Sequence, residues 1–247
     1  MGQGGAVLVT GAARRIGRAI VDRLAQDGCA VIIHASARSL HEAEALASDI
    51  SARGGRAAAI AADLADTTEA RGLVARAAGA FGPLSHLVNN ASVFELDTPA
   101  DFRPEDFDRN MAVNLRAPLL LAQAFAAALP EGARGSIVNL VDQRVLRPDP
   151  NYFSYSLSKS GLWAATKTMA QAFAPRVRVN AVGPGPVLPN ANEGQAAFDA
   201  EIAVAPLRRA VDVAEIADAV AWLMAAPGVT GQMIAVDAGQ HLAWQGH

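Results

Sequence analysis

The sequence predicts a doubly wound α/β domain, a parallel sheet with helices packed on both faces. Three observations point there. Short apolar runs of four to six residues alternate with longer stretches at helical spacing. Glycines or Gly-Pro pairs punctuate the helix ends. Connections of helical length between successive runs make the sheet parallel and wind it on both faces.

Element by element, Ala6 to Thr10 is the first strand, and a helix runs from Ile16 to Asp27 until Gly28 stops it. Ala30 to His34 forms the second strand, followed by a helix from Leu40 to Arg53 that ends in Gly54-Gly55. Ala57 to Ala61 is the third strand, with a helix over Thr67 to Phe81 closed by Gly82-Pro83. His86 to Asn89 is the fourth, and one long helix covers Glu105 to Leu129. Ser136 to Asn139 makes the fifth, before a helix from Phe153 to Phe173. Val177 to Val182 is the sixth and Met233 to Val236 the last, after a helix over Val211 to Met224. Two stretches break the rhythm: Phe94 to Pro104, and Gly183 to Pro206 with a short helical patch at Ala196 to Ala203. Both follow the carboxyl ends of strands, where open α/β sheets bind ligands, and loops this long usually bind or cover them. With no repeat, low-complexity tract or linker, the reading is a single Rossmann-type domain over residues 1–247.

Composition narrows the function classes. Of 247 residues, 51% are hydrophobic and 18% charged, enough apolar material for one core. A formal charge of -3 offers no basic field for nucleic acid or an anionic membrane. No signal-peptide order opens the chain, and no uncharged run reaches the ~20 residues a bilayer needs. The expected location is therefore cytoplasmic. Cys29, the single cysteine, reads as a buried inert thiol. His241 and His247 have no acid or cysteine cluster near them in sequence, and no metal site is expected.

The turn Thr10-Gly11-Ala12-Ala13-Arg14-Arg15-Ile16-Gly17 joins the first strand to its helix. Glycine lets backbone approach a pyrophosphate, and a helix amino terminus offers unpaired N–H groups to it. An acid at the end of the second strand would hold the ribose hydroxyls of NAD. Here that segment reads His34-Ala35-Ser36-Ala37-Arg38-Ser39, without a carboxylate. Ser36, Arg38 and Ser39, with Arg14 and Arg15, supply donors for a phosphate instead, so the expected cofactor is NADP(H). Asp63, followed by Leu64 after the third strand, could bind an adenine amino group. Asn89-Asn90-Ala91-Ser92 is small enough for a cofactor to lie against it, or is simply a turn.

Tyr155 and Lys159 stand four residues apart at the start of a helix, hence on one face. Hydride delivery to a polarised double bond leaves a charge to be protonated, and a nearby ammonium would lower the phenol's pKa from its usual ~10. Asp142 stands thirteen residues earlier, at the end of the fifth strand. Asn114 is a polar residue amid Met111, Leu115 and Leu119, and Val182-Gly183-Pro184-Gly185 makes a turn able to lie against a nicotinamide.

With these residues assembled, the chain resembles the short-chain dehydrogenase/reductase family, from Thr10-Gly11 to Val236-Asp237. The resemblance implies that Asn114, Tyr155 and Lys159 form a proton relay, Asn114 anchoring its water and Lys159 also holding the nicotinamide ribose. Arg15 where a second glycine is usual, and Asp142 where a serine is usual, resemble the pteridine-reductase branch, as do Asn90 to Phe94 and Val182 to Gly185. That branch implies that Arg15, Ser92 and Phe94 line the pterin and cofactor site, the phenylalanine stacking on the pterin. Physics agrees on Asp142: an ionised carboxylate would repel the alkoxide developing from a ketone, whereas reduction of a ring C=N bond needs a proton at nitrogen. Arg144 and Arg147 either hold an anionic substrate tail or face water. The expectation is NADPH-dependent reduction of a pterin or dihydropterin. A carbonyl reductase acting on a ketone or 3-oxoacyl substrate and a non-catalytic NADP sensor are the rivals. Family resemblance further implies a homotetramer, which the alanine- and leucine-rich long helices permit.

Overall fold

The computed structural model describes residues 5–189 and 194–243. Seven strands form one parallel sheet in the order β3-β2-β1-β4-β5-β6-β7. They are β1 (Ala6–Val9), β2 (Ala30–Ala35), β3 (Arg56–Ala61), β4 (Leu84–Asn89), β5 (Gly135–Leu140), β6 (Val177–Pro184) and β7 (Met233–Val236). The order reverses between β1 and β4, the place where such sheets open a crevice at their carboxyl ends.

Alternation along each strand builds two cores. Val7, Val9, Val31 and Ile33 face α1 (Arg15–Gln26), α2 (Leu40–Ala52) and α8 (Val213–Ala225), meeting Ile20, Leu46 and Val220. Ala6, Leu8 and Ile32 face the other way, onto Leu73 of α3 (Thr67–Phe81), Leu121 and Phe125 of α5 (Ala117–Ala128) and Met169 of α6 (Phe153–Phe173). The shorter α4 (Pro104–Asn110) and α7 (Gly194–Val204) lie beside the crevice loops. Cys29 is buried in the first core, and burial raises its thiol pKa.

Several boundaries differ from expectation, each for a local reason. Thr10 leaves β1 because its hydroxyl accepts the N–H groups of Asn90 and Ala91, starting the turn one residue early. The last helix begins at Val213 because Asp212 caps it in a reciprocal box with Glu215. β6 continues to Pro184, since Gly183 and Pro184 pair with Ala235 and Val236 of β7. The expected helix from Glu105 to Leu129 is not uniform: Met111–Arg116 is a π-helical turn between α4 and α5. By length and composition Pro104–Ala128 could cross a bilayer. Ala117, Leu121, Ala122 and Phe125 are instead buried in the second core, as in a core helix.

Candidate active site

The crevice is a cleft of about 820 Å3. Every site residue expected from the sequence lines it except Asn114.

The cofactor half is built by close backbone approach. Gly11 holds a left-handed φ of +60°, and a Cβ there would meet Ala91 Cα at 2.7 Å. A Cβ on Gly17 would meet the Gly11 carbonyl at 2.5 Å and Asn90 Nδ2 at 2.6 Å. Asn90 explains this crowding: its amide donates to the carbonyls of Thr10 and Gly11, both at 2.9 Å, tying the β4 turn to the β1 turn. The amino end of α1 has no side-chain cap, so its first N–H groups stay available to an anion. His34 is buried and accepts from Gly11 N–H through Nδ1 at 3.1 Å, so its proton sits on Nε2, 3.2 Å from the Ala62 carbonyl. Burial lowers its pKa to about 4, and the neutral ring pins the turn to the ends of β2 and β3.

Beyond β2, Ser36 and Ser39 lie 3.3 Å apart, hydroxyl to hydroxyl, with Arg38 exposed beside them. Arg14 is ion-paired with Glu42 of α2, so part of its charge is already engaged. Among the described residues neither Arg15 nor Arg38 has an acidic partner. That donor set, without an acid, fits a 2′-phosphate. Asp63 Oδ1 accepts from Ala65 N–H, with Leu64 buried next to it. Across the cleft, Gly185 permits close approach to the residue that follows β7: a Cβ there would meet Asp237 Cα at 2.5 Å.

In the chemical half, β5 delivers Asp142 and α6 delivers Tyr155 and Lys159. Asp142 Oδ1 caps the following turn by accepting Arg144 N–H, and Oδ2 accepts the Tyr155 hydroxyl at 2.8 Å. Lys159 is buried, donates to the Leu140 carbonyl at 2.8 Å, and lies 5.6 Å from the Tyr155 ring. Burial brings its pKa down to about 8, with Asp142 pulling the other way.

The expected depression of the Tyr155 pKa is not what the site shows. Burial, then the Asp142 charge and the hydrogen bond to it, push the phenol well above its usual value, and Arg144 opposes them only in part. Lys159 directs one of its N–H groups to a backbone carbonyl while the phenol's proton is held by a carboxylate. The Tyr155 phenol therefore keeps its proton, directed at Asp142.

Asn114 sits fully buried behind the cleft, in the π-helical turn. Its side chain accepts Val93 N–H at 2.9 Å, donates to the Val93 carbonyl at 2.9 Å, and reaches Ser158 Oγ at 3.1 Å. It fastens the loop carrying Ser92 and Phe94 to the catalytic helix. Ser92 Oγ also donates to it, at 3.2 Å.

Four residues that sequence reasoning missed or left open complete the substrate end. Tyr152, fully buried with φ +57°, stacks on Phe94 at 4.1 Å with the rings 8° from parallel. Phe94 also meets Tyr155 edge to face at 4.6 Å. Asp97, buried in the loop after Phe94, accepts the N–H and hydroxyl of Ser154 and so caps α6. Arg144 lies over both stacked rings, and Glu201 of α7 reaches it from the other wall. An acid in a Pro- and Phe-containing loop was the one available sign of Asp97. Arg147 instead donates to the Gln240 carbonyl at 3.3 Å, outside the cleft. Among the described residues no cluster of His, Cys, Asp or Glu could hold a metal. His247 lies outside them.

A glycine-walled dinucleotide turn, a phosphate-favouring β2 end and a Tyr-Lys pair in one cleft define an NADP(H)-dependent oxidoreductase. The comparisons agree. A family model described as enoyl-(acyl carrier protein) reductase matches residues 11–241. A short-chain type dehydrogenase/reductase of Picea abies is 35% identical over 251 residues, covering 96% of this chain and 92% of the relative. A 3-oxoacyl-(acyl-carrier-protein) reductase of Synechocystis sp. is 32% identical over 238 residues, covering 94% and 95%. The crystal structure of FolM alternative dihydrofolate reductase 1 from Brucella canis, complexed with NADP, superposes with a TM-score of 0.95 at 47% identity, covering 99% of this chain and 96% of that one. The chain belongs to the short-chain dehydrogenase/reductase family, and its resemblance to the pteridine-reductase branch is matched by that neighbour.

Proposed function

We propose that the chain reduces a pterin or dihydropterin with NADPH. The carrying observation is the 2.8 Å hydrogen bond from the Tyr155 hydroxyl to Asp142, a carboxylate standing where a ketone reductase would place a neutral donor. The 47% identity to an enzyme named as a dihydrofolate reductase supports it.

NADPH, when bound, supplies hydride. The protein's part is to hold the flat ring beside Phe94, present Asp142 to ring N–H groups, and deliver the Tyr155 proton to nitrogen. Arg15 and Ser92 border the same space from the cofactor side. Lys159 keeps a positive charge beside Tyr155 and would hold the ribose of a bound nicotinamide. Asn114 holds the Phe94 loop in register with α6.

NADPH absorbance followed with dihydropterins, oxidised pterins and simple ketones tests the reading. Turnover of dihydropterins is expected; turnover of ketones alone would refute it. The likeness to 3-oxoacyl reductases favours carbonyl reduction as the second reading, and an NADP sensor would turn over nothing. The same proposal takes the chain as one cytoplasmic domain, a homotetramer acting on a small molecule without nucleic acid or membrane.

A further inference from the structure

We propose that Arg144 is a specificity-determining residue that recognises a carboxylate on the outer arm of the substrate, and that Glu201 of α7 holds its place until substrate arrives. The inference rests on the reading of this end of the cleft as the substrate site, and it names the kind of substrate that fits.

Arg144 belongs to the cleft wall two residues beyond Asp142, and its side chain is only 12% exposed. A guanidinium withdrawn from water needs a partner of matching geometry. Among the described residues the carboxylate in salt-bridge reach of the guanidinium is Glu201, one contact at 3.4 Å from a side chain 35% exposed, while the charge of Asp142 acts on it from the backbone side of the loop. The chain shows elsewhere what a well-made pair looks like: Arg209 grips both oxygens of Glu215 at 2.6 and 2.7 Å. Among the described residues no other side-chain oxygen is hydrogen-bonded to the Arg144 guanidinium. The more buried arginine thus has the looser partner.

Its position is set without that partner. The guanidinium carbon lies 5.1 Å from the Tyr152 ring centroid and 5.7 Å from that of Phe94, and these two rings are themselves stacked. Such packing orients the planar fork in advance, and a preoriented donor gives up little freedom on binding. Asp142 fixes the direction from which an anion can come. Its charge repels a carboxylate placed deep in the site, so a ring bound at Asp142 and Phe94 must carry its acidic group outward, toward α7. That is where Glu201 stands. Replacing one carboxylate by another on the same arginine adds no new buried charge. A neutral arm would either leave Glu201 in place or bury Arg144 unpaired.

The test compares kcat/KM for two dihydropterins, one ending in a glutamate (dihydrofolate) and one with a neutral hydroxylated side chain (dihydrobiopterin). The wild type is expected to favour the first. Arg144→Ala should cut that preference at least tenfold, through KM rather than kcat. Arg144→Lys should retain part of it, and Glu201→Gln should increase it by removing the competing carboxylate. Equal loss on both substrates in Arg144→Ala would overturn the proposal, because it would mark a residue that merely supports the Asp142 loop. An unchanged preference in Glu201→Gln would overturn the placeholder role. A separate measurement needs no turnover: the Kd of 4-aminobenzoylglutamate for the NADPH complex. Weakening by tenfold or more in Arg144→Ala supports the inference, and unchanged affinity sinks it. If neither dihydropterin is reduced, the pterin reading fails, while the fragment affinity still decides the role of Arg144.

Discussion

Asp142→Ser separates the two chemistries most directly. The serine can still accept Arg144 N–H as a cap, so the loop has a reason to keep its shape. What disappears is a negative charge 2.8 Å from the Tyr155 hydroxyl. An oxygen receiving the tyrosine proton sits one hydrogen bond beyond that hydroxyl, about 5 Å from the carboxylate. At an effective dielectric of about 20, two unit charges at that distance repel by roughly 3 kcal/mol. A developing alkoxide feels most of that, which corresponds to about a hundredfold in rate. Ketone reduction is therefore expected to gain about a hundredfold in kcat/KM relative to dihydropterin reduction, which loses both its acceptor for ring N–H groups and its assisted protonation. The assay is NADPH oxidation by a ketone and a dihydropterin, with NADPH affinity measured to confirm an intact cofactor half. A ratio that moves by less than threefold in a variant that still binds NADPH would show that Asp142 does not choose the chemistry.

Three further outcomes follow from the same geometry. Burial lowers the Lys159 pKa from 10.5 to about 8, so the folded state binds fewer protons than the unfolded one between those values and stability rises with pH there. Below pH 8 the buried charge costs about 3 kcal/mol, so Lys159→Met should melt higher at pH 7 while losing turnover; a lower melting temperature would contradict this. His34 and His86 are both lowered by burial from 6.5 to about 4, so each favours the native state above pH 6.5 and loses that contribution as pH falls toward 4, up to about 3 kcal/mol each. Melting temperature against pH should flatten in His86→Gln, and an unchanged slope would remove His86 from the account. Arg38→Ala should raise KM for NADPH with little change for NADH, and an unaltered preference would mean the 2′-phosphate is held elsewhere.

The fold was legible because its signals are local and repeated. Seven short, largely apolar runs separated by stretches of helical period correspond to seven strands wound with helices on both faces. Errors sit where a tertiary contact overrides the pattern. Thr10 reads as strand by propensity, but its hydroxyl is claimed by the N–H groups of Asn90 and Ala91. Met111–Arg116 keeps an unbroken helical pattern, and only packing reveals the π-helical turn that aims Asn114 at Val93 and Ser158. Nothing in the residue letters distinguishes the two helical forms.

The site divides along a similar line. Residues that line the candidate dinucleotide half of the cleft were readable, since a glycine turn and a strand end without an acid carry their chemistry in the sequence. Residues that act through others were not: Tyr152 has meaning only once it stacks on Phe94, and Asp97 only once its carboxylate meets Ser154. The misjudged sign at Tyr155 has the same origin. Spacing puts Lys159 on the correct face, but it cannot show that the ammonium donates to Leu140 or that Asp142 reaches the hydroxyl first. A phenol held by a carboxylate resists ionisation, and its proton becomes useful only when substrate takes over that hydrogen bond. The same aspartate that binds ring N–H groups would then loosen its hold on Tyr155 as they arrive, so a ligand lacking such groups would leave the proton where it is.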